Sequence, residues 1–209
     1  MKLKEFVEKY GGPYSKMLGI DLKKGNDDEI CKWLLAAILY SKPIRESSAT
    51  RTYQCFEKDD VLTPKEIIET GWDGLVSILD EGGYTRYDFS TANRLLGIFG
   101  NLQKNYEGKL SKLYDLASDG KDLETRLRSL GKGVGDTTVS IFLRDMREIW
   151  PKASPTPSPL VKMAMKEIGI KNLDETARKE RVSVISLETA LMRLAKDFIK
   201  KGKVIKITA

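Results

Sequence analysis

The stretch GKGVGDTTVSIF, residues 131–142, decides which fold the sequence predicts. It places three glycines within five residues and continues directly into an apolar segment. Apolar residues with helical spacing stand on both sides of the glycines: Leu123, Leu127, Leu130, Val139, Phe142, Leu143 and Met146. The pattern therefore predicts two helices that are joined by a tight glycine turn.

The chemistry of this turn is that of an anion-binding site. Glycine adopts positive φ and lets another backbone come close, and we expect Gly133 and Gly135 to be essential for that reason. Free amides at the start of the second helix, together with its dipole and Lys132, would hold a phosphate. Three natural N-cap residues follow the turn: Asp136, Thr137 and Thr138. The structural alternative is a plain helix–helix turn with glycine C-caps.

Helical patterns dominate the rest of the chain. Thr63, Pro64 and Glu66 form a capping box at a helix start. That helix is expected to stop at Gly71, and Ser90 is expected to cap a later one. Two further segments show one apolar face: Ile30, Trp33, Leu34, Ala37 and Ile38, and then Leu187, Leu191, Leu194 and Phe198. Only the C-terminal KVIKIT alternates as a strand would, so we expect an all-α fold of about nine or ten helices.

The composition excludes several classes of protein. No stretch of the 209 residues approaches the roughly 20 apolar residues that a membrane-spanning helix needs. The N-terminus lacks the apolar core of a signal peptide, so a cytoplasmic protein is expected. With two cysteines and no histidine, the chain cannot hold a four-cysteine iron–sulfur cluster or a usual zinc site, and Cys31 is expected to be a buried thiol. Any proton transfer falls to Asp, Glu, Lys, Tyr or water.

The net charge of +6 is unevenly distributed along the chain. Residues 159–209 contain twelve Lys and Arg against six Asp and Glu, which leaves residues 1–158 neutral. A basic C-terminal quarter indicates a polyanion as partner, although abundant Lys and Glu are equally typical of a solvated, thermophile-like surface. Before this quarter, WPKASPTPSPL at residues 150–160 carries four of the seven prolines. It predicts a stiff connector or a loop that lines a site.

Three stretches of the sequence resemble one known superfamily. LGKGVGDTTVSIFLRD, residues 130–145, resembles the helix-hairpin-helix element of the base-excision DNA glycosylases, the superfamily of endonuclease III and archaeal 8-oxoguanine glycosylase. WLLAAILYSKPIRESSATRTYQCFE, residues 33–57, resembles the helix of that superfamily that ends in a groove-probing loop. GGYTRYDFSTANRL, residues 82–95, resembles the loop and helix that follow. The likeness covers roughly residues 30–165.

The resemblance implies a two-lobed, all-α DNA glycosylase fold without an iron–sulfur cluster. Duplex DNA would lie across the cleft, and a damaged nucleotide would be flipped out of the helix. The implied parts are a helical lobe at 28–130, the helix-hairpin-helix at 123–149, the connector at 150–160, and a second, basic lobe formed by 1–27 and 161–209.

The resemblance also implies where the site residues lie. The positions on the DNA backbone are Lys132, Gly133, Val134, Gly135, Asp136, Thr137 and Thr138. The groove-probing positions are Ser41, Lys42, Pro43, Tyr84 and Arg86. Tyr84 and Arg86 would contact DNA by stacking and by phosphate pairing, and the alternative is that they are an ordinary core residue and an ordinary surface residue. Main-chain carbonyls near Ser129, Gly131 and Val134 correspond to a site for a monovalent cation, the one cofactor implied. Pro43 stands where many relatives carry a glutamine that fills the gap left by the flipped base.

The chain departs from the superfamily at its chemical positions. The lysine that forms a Schiff base with the sugar in strand-cleaving members corresponds here to Thr137, which has no amine. The carboxylate that stabilises the transition state corresponds to Thr156, and the histidine after it corresponds to Ser158. No Asp or Glu occurs anywhere from 150 to 165, so this absence does not depend on the alignment.

Three functions remain open from the sequence. The first is a duplex-DNA-binding protein on the glycosylase fold that lacks the usual lyase and Asp-dependent chemistry. The second is an active monofunctional glycosylase with an atypical site, which removes alkylated or oxidised bases that leave with little help. The third is a helical scaffold whose basic tail binds an acidic protein. The intact hairpin and the missing Lys and Asp favour the first.

Overall fold

The computed structural model describes residues 1–203, 205 and 207 of the chain, and no β-strand occurs among them. Twelve α-helices make up most of the described chain. They are α1 (Leu3–Tyr10), α2 (Tyr14–Met17), α3 (Asp27–Tyr40), α4 (Glu46–Lys58), α5 (Pro64–Glu81), α6 (Asp88–Tyr106), α7 (Leu110–Leu116), α8 (Gly120–Ser129), α9 (Asp136–Met146), α10 (Pro159–Glu167), α11 (Leu173–Glu180) and α12 (Val184–Arg193). The predicted all-α fold is confirmed. The alternating KVIKIT stretch lies partly outside the described residues.

The chain divides into two compact units. The central unit is Leu18–Pro155 and contains α3 to α9, whereas the terminal unit combines Met1–Met17 with Thr156–Ala209. The terminal unit carries sixteen Lys and Arg against eight Asp and Glu, a net charge of +8. The central unit carries twenty against twenty-two, a net charge of −2. The excess positive charge therefore belongs to the terminal unit, its N-terminal helices included.

Helix α3 forms the centre of the core of the central unit. Its predicted apolar face is buried, and Leu35, Ala36 and Leu39 on its other sides are buried as well. A helix that is apolar all round must be surrounded by other elements, and α4, α7 and α9 all pack against it. The indole Nε1 of Trp33 donates a hydrogen bond of 3.0 Å to the carbonyl of Phe142, which joins α3 to α9.

The start of α5 is as predicted, but its end is not. Thr63 caps the helix, and its hydroxyl and the Glu66 carboxylate exchange hydrogen bonds with each other's backbone amides. The predicted stop at Gly71 is wrong, because the helix resumes after a kink and runs to Glu81. Gly71 adopts φ 68° and ψ −178°, which a residue with a Cβ rarely takes. Burial of Leu75 and later apolar residues stabilises the resumed helix.

Helix α6 also begins earlier than the sequence predicts. Its first residue is Asp88, so that Ser90 lies inside the first turn instead of capping it. The hydroxyl of Ser90 donates to the carbonyl of Tyr87 at 3.1 Å. Helices α5 and α6 pack against each other over their length and are joined by a short turn at 82–87.

In the core of the terminal unit, one face of α12 packs against α1, α10 and α11. The leucines predicted to share a face are buried: Leu187, Leu191 and Leu194. The half-buried ring of Phe198 meets the rings of Phe6 and Tyr10 edge-on, at centroid distances of 6.2 and 5.5 Å. Beyond Arg193 the helical backbone widens into one π-turn and then tightens into a 3₁₀ turn that ends at Lys201. None of the described helices has the length and apolar character needed to span a lipid bilayer.

Candidate nucleic-acid interface

The glycine turn at residues 130–135 connects α8 to α9 within the central unit. The amide of Val134 donates to the carbonyl of Gly131 at 3.1 Å, which closes the turn. Gly131 and Gly133 adopt φ values of 155° and 122°, in the region where a Cβ is strained. Gly135 adopts φ −93°, which any residue takes. The expectation that Gly135 is essential for the backbone conformation is therefore wrong, whereas the expectation for Gly133 agrees with its φ.

Apolar packing and two polar contacts hold the glycine turn in place. Leu130 and Val134 are buried, with only 1% and 4% of their surface exposed. Asn101 of α6 donates through Nδ2 to the carbonyl of Leu130 at 2.9 Å. The hydroxyl of Thr138 donates to the carbonyl of Gly133 at 3.0 Å. These contacts hold one side of the turn against α6 and leave its other side exposed to the solvent.

The solvent-exposed side of the turn presents backbone amides that lack hydrogen-bond acceptors. Gly135 is the N-cap residue of α9 and provides no side-chain acceptor. Within the described residues, the amides of Asp136, Thr137 and Thr138 have no hydrogen-bond acceptor. A Cβ built on Gly135 meets nothing within 4 Å, so the space beside the N-cap residue is open. Such a helix start is a ready site for an oxyanion.

The three residues predicted as caps have other partners or none. The Asp136 side chain is 91% exposed and accepts a hydrogen bond of 3.0 Å from Nε of Arg128. Thr137 is exposed, and the Thr138 hydroxyl is committed to the turn. The prediction that these side chains cap α9 is therefore wrong, because the N-cap position itself falls one residue earlier on a glycine.

Arg128 at the end of α8 is held by two carboxylates. Its Nη2 lies 2.9 Å from Oε2 of Glu124, and its Nε lies 3.0 Å from Oδ1 of Asp136. The hydrogen bond to Glu124, more than that to Asp136, raises the pKa of Arg128 despite partial burial. The guanidinium is therefore paired with a carboxylate on both sides. Lys132 of the turn is exposed and has no ion-pair partner among the described residues.

Sequence reasoning missed Arg94, which lies against the turn from α6. A Cβ at Gly133 would be 3.0 Å from Cδ of Arg94 and 3.3 Å from its Cβ and Cγ. One helical turn further along α6, Ile98 approaches Gly131 in the same way, with Cγ1 at 3.3 Å. No local motif marks Arg94, since the contact joins residues 39 positions apart in the sequence. Its half-exposed side chain covers Gly133.

The two segments predicted to probe the groove lie next to each other. Ser41, Lys42 and Pro43 form the loop between α3 and α4, where Pro43 is exposed and the other two are half-exposed. The hydroxyl of Ser41 donates to the carbonyl of Ile38 at 2.7 Å, which continues the end of α3. The 82–87 turn approaches α4, since Gly82 packs on Thr52 and Gly83 lies near Arg51.

Tyr84 connects these two segments instead of contacting a ligand. Its ring is 1% exposed, and its hydroxyl donates a hydrogen bond of 2.6 Å to the carbonyl of Leu39. Burial raises the pKa of this phenol. Of the two expectations for Tyr84, stacking on DNA is therefore wrong and a place in the core is right, because the ring is buried. Arg86, two residues later, is exposed as a groove-probing position requires.

Two exposed aromatic rings lie on the helices that the 82–87 turn connects. Trp72 of α5 and Phe89 of α6 are 38% and 58% exposed, and their centroids lie 5.2 Å apart. Both rings belong to the α5–α6 hairpin that carries Arg86 and Arg94. Helix α6 thus begins at the exposed 82–87 turn with its aromatic pair. Further along, the same helix packs against the glycine turn with its free amides.

The arrangement of helices is similar to a solved structure of known function. The chain matches the 3-methyladenine DNA glycosylase MagIII of H. pylori bound to 1,N6-ethenoadenine, with a TM-score of 0.56 and 14% identity. The match covers 98% of this chain and 100% of that one. The chain has the fold of a DNA glycosylase. No protein-family model and no curated protein matches the sequence.

The two carboxylates of α9, Asp136 and Asp145, differ in their surroundings. Asp145 of α9 is fully buried, with its Oδ1 2.9 Å from Nε of the neighbouring Arg144. Thr156, which the resemblance alone aligns with an aspartate, is exposed, and Ser158 caps α10 by accepting from the amide of Val161 at 3.4 Å. Asp136 is therefore the carboxylate that the turn itself presents to the solvent.

The first half of the proline-rich connector is fixed to α7. The ammonium of Lys152 donates to the carbonyls of Tyr114 and Ala117 at 3.0 and 2.6 Å and lies 4.4 Å from the centroid of the Tyr114 ring. The ring of Trp150 stacks on the same tyrosine at 4.7 Å. Arg147 donates to the carbonyl of Pro155 at 3.1 Å. Residues 150–155 are therefore an ordered part of the central unit.

The carbonyls implied as a cation site have the chemistry for an alkali ion. Neither the Ser129 nor the Val134 carbonyl accepts a backbone hydrogen bond from the described residues, and the Gly131 carbonyl accepts one from Val134. Each oxygen therefore keeps lone pairs for a hard cation. Groups of His, Cys, Asp or Glu that could bind a transition metal do not occur among the described residues. These lone pairs suit a monovalent cation chemically, and the cation site itself stays a prediction.

Proposed function

We propose that this protein binds duplex DNA through the glycine turn of its central unit, with a DNA phosphate on the free amides of α9. The observation that carries the proposal is the run of three backbone amides without acceptors that follows Gly135, an N-cap residue with open space at its Cβ position. A phosphate oxygen is the acceptor that such a helix start favours. Exposed Lys132 adds the positive charge that a phosphate attracts.

The loops of the central unit support a duplex as the ligand. The 41–45 loop and the 82–87 turn lie side by side, and their neighbourhood exposes basic side chains: Arg45, Arg51 and Arg86. The solved structure that the chain resembles is a DNA glycosylase, and the likeness extends over nearly the whole chain. The net charge of +8 on the terminal unit favours the same polyanion.

The chemistry we propose is binding without the usual lyase or Asp-dependent base removal. Thr137 has no amine for a Schiff base with the sugar. Thr156 cannot supply the negative charge that stabilises an oxocarbenium-like transition state, and no other acid occurs from 150 to 165. The buried carboxylate of Asp145 is already paired with Arg144. A protein of this kind would recognise DNA without cleaving it.

A second candidate is a monofunctional glycosylase that acts on alkylated purines. It is favoured by the likeness to a 3-methyladenine DNA glycosylase. Alkylated purines are already cationic and leave with less help than intact bases, so an exposed carboxylate such as Asp136 could suffice. This candidate requires base release that Asp136→Asn abolishes.

The binding proposal is tested by fluorescence anisotropy with a labelled duplex at several salt concentrations. We expect binding that weakens by about 40-fold between roughly 50 and 200 mM salt if three phosphates are contacted. Gly135→Val should abolish most of this binding while the protein stays folded, since its Cβ enters open space and its φ suits any residue. A Kd no better than millimolar at low salt, or an unchanged Kd for Gly135→Val, would refute the proposal.

The two candidates are separated by a panel of duplexes that contain alkylated, oxidised or deaminated bases. Abasic product is measured by alkaline strand cleavage, with an incubation without protein as the control. Binding without chemistry predicts product at the control level for every duplex. Product that exceeds the control and disappears with Asp136→Asn would establish the second candidate instead.

A further inference from the structure

We propose that Arg94 of α6 binds a DNA phosphate beside the glycine turn and so provides a contact outside the helix-hairpin-helix itself. This inference rests on the proposed DNA binding and specifies which side chain acts there. No motif in the sequence points to it, because Arg94 and the turn are far apart along the chain. The contact between Arg94 and Gly133 places the side chain at the turn.

The geometry of Arg94 is set by the turn. Its Cβ, Cγ and Cδ atoms lie 3.0 to 3.3 Å from the position that a Cβ of Gly133 would occupy. The aliphatic stem therefore takes the place of a side chain at Gly133, and we expect the guanidinium at its end to reach the solvent. A stem that packs while its charged end stays in water is the usual behaviour of a half-exposed arginine.

The charge of Arg94 is uncompensated, unlike that of the arginines on α8. Arg126 pairs with Asp122 at 3.0 Å, and Arg128 pairs with Glu124 and Asp136. Arg94 makes no ion pair or side-chain hydrogen bond with the described residues. A carboxylate near the turn is thus available to Arg128 but not to Arg94, which leaves the Arg94 guanidinium for a ligand.

Packing alone does not require an arginine at this position. Leu or Met would cover Gly133 with the same number of methylene or methyl contacts and without the cost of partly desolvating a charge. The planar guanidinium fork is suited to two phosphate oxygens at once. Next to free amides at a helix start, such a fork would bind the same phosphate or its neighbour along the strand.

The test compares the salt dependence of duplex binding for the unmodified protein, Arg94→Met and Arg126→Gln. Arg94→Met keeps an aliphatic stem over Gly133, and Arg126→Gln removes an arginine that is already paired. Loss of one phosphate contact should lower the slope of log K against log salt by about 0.9 and weaken binding at low salt about tenfold. Arg126→Gln should change neither quantity.

The outcomes distinguish this inference from the proposed function. If the unmodified protein does not bind duplex DNA, the proposed function and this inference both fall. If it binds and Arg94→Met keeps its slope, the inference about Arg94 is wrong while DNA binding stands. Arg94→Lys, which keeps the charge but not the fork, should retain the slope and lose part of the affinity.

Discussion

Nε of Arg128 lies 3.0 Å from Oδ1 of Asp136, so an ion pair bridges the last turn of α8 and the first turn of α9 across the glycine turn. The pair has opposite consequences for a bound phosphate. The carboxylate places negative charge beside the free amides, and it also occupies a guanidinium that could contact the phosphate.

Asp136→Asn should therefore strengthen duplex binding, by roughly three- to tenfold at low salt. The substitution removes a repulsive charge and releases Arg128 from one of its two partners. Anisotropy titrations measure the effect, and Asp115→Asn on the exposed side of α7 is a matched control. Weaker binding of Asp136→Asn would mean that the carboxylate supports the site.

The glycines of the turn should respond differently to alanine. Gly133→Ala is expected to lower the free energy of unfolding by about 1–3 kcal/mol, because φ 122° is strained for alanine and the Cβ meets Arg94 at 3.0 Å.

Gly135→Ala is the matched variant and should be neutral or stabilising by up to about 1 kcal/mol, since its φ of −93° suits alanine. Urea denaturation followed by circular dichroism measures both changes. Equal losses for the two variants would contradict the backbone geometry described above.

Tyr84→Phe should destabilise the protein by about 1–2 kcal/mol, because it leaves the buried Leu39 carbonyl without its hydrogen bond. Tyr87→Phe is the control, since that ring packs edge-on to Tyr84 at 6.2 Å and its hydroxyl has no hydrogen-bond partner among the described residues. Thermal unfolding compares the two variants. A Tyr84→Phe protein that unfolds like the unmodified one would show that the carbonyl has found another donor.

The stability of the protein should fall between about pH 5 and pH 3 in part through Glu66. Burial raises the pKa of Glu66, but hydrogen bonds from the amides of Leu62 and Thr63 lower it more, so that the pKa is below its ordinary value. A lowered folded-state pKa gives stability that is present above the unfolded pKa and is lost as the pH falls. Glu66→Gln should flatten this part of the profile of unfolding free energy against pH, and an unchanged profile would contradict it.

Local chemistry explains what the sequence could predict. The capping box of Thr63 and Glu66, the buried faces of α3 and α12, and the helices on both sides of the glycine turn all depend on residues within a few positions of each other. Burial of Tyr84 depends on a carbonyl 45 positions away, and the contact of Arg94 depends on a glycine 39 positions away. No periodicity in the sequence contains such pairs. The sequence alone therefore leaves Tyr84 open between the core and a DNA contact, and it does not mark Arg94 at all.

The three tryptophans of this chain are intrinsic fluorescence probes in different environments. Trp33 is buried and hydrogen-bonded in the core, and Trp150 is 5% exposed and stacked on Tyr114. Trp72 is 38% exposed beside Phe89, on the hairpin that carries the 82–87 turn. Acrylamide should quench the emission of Trp72 selectively, so that intrinsic fluorescence separates events at this surface from unfolding of the interior without any attached dye.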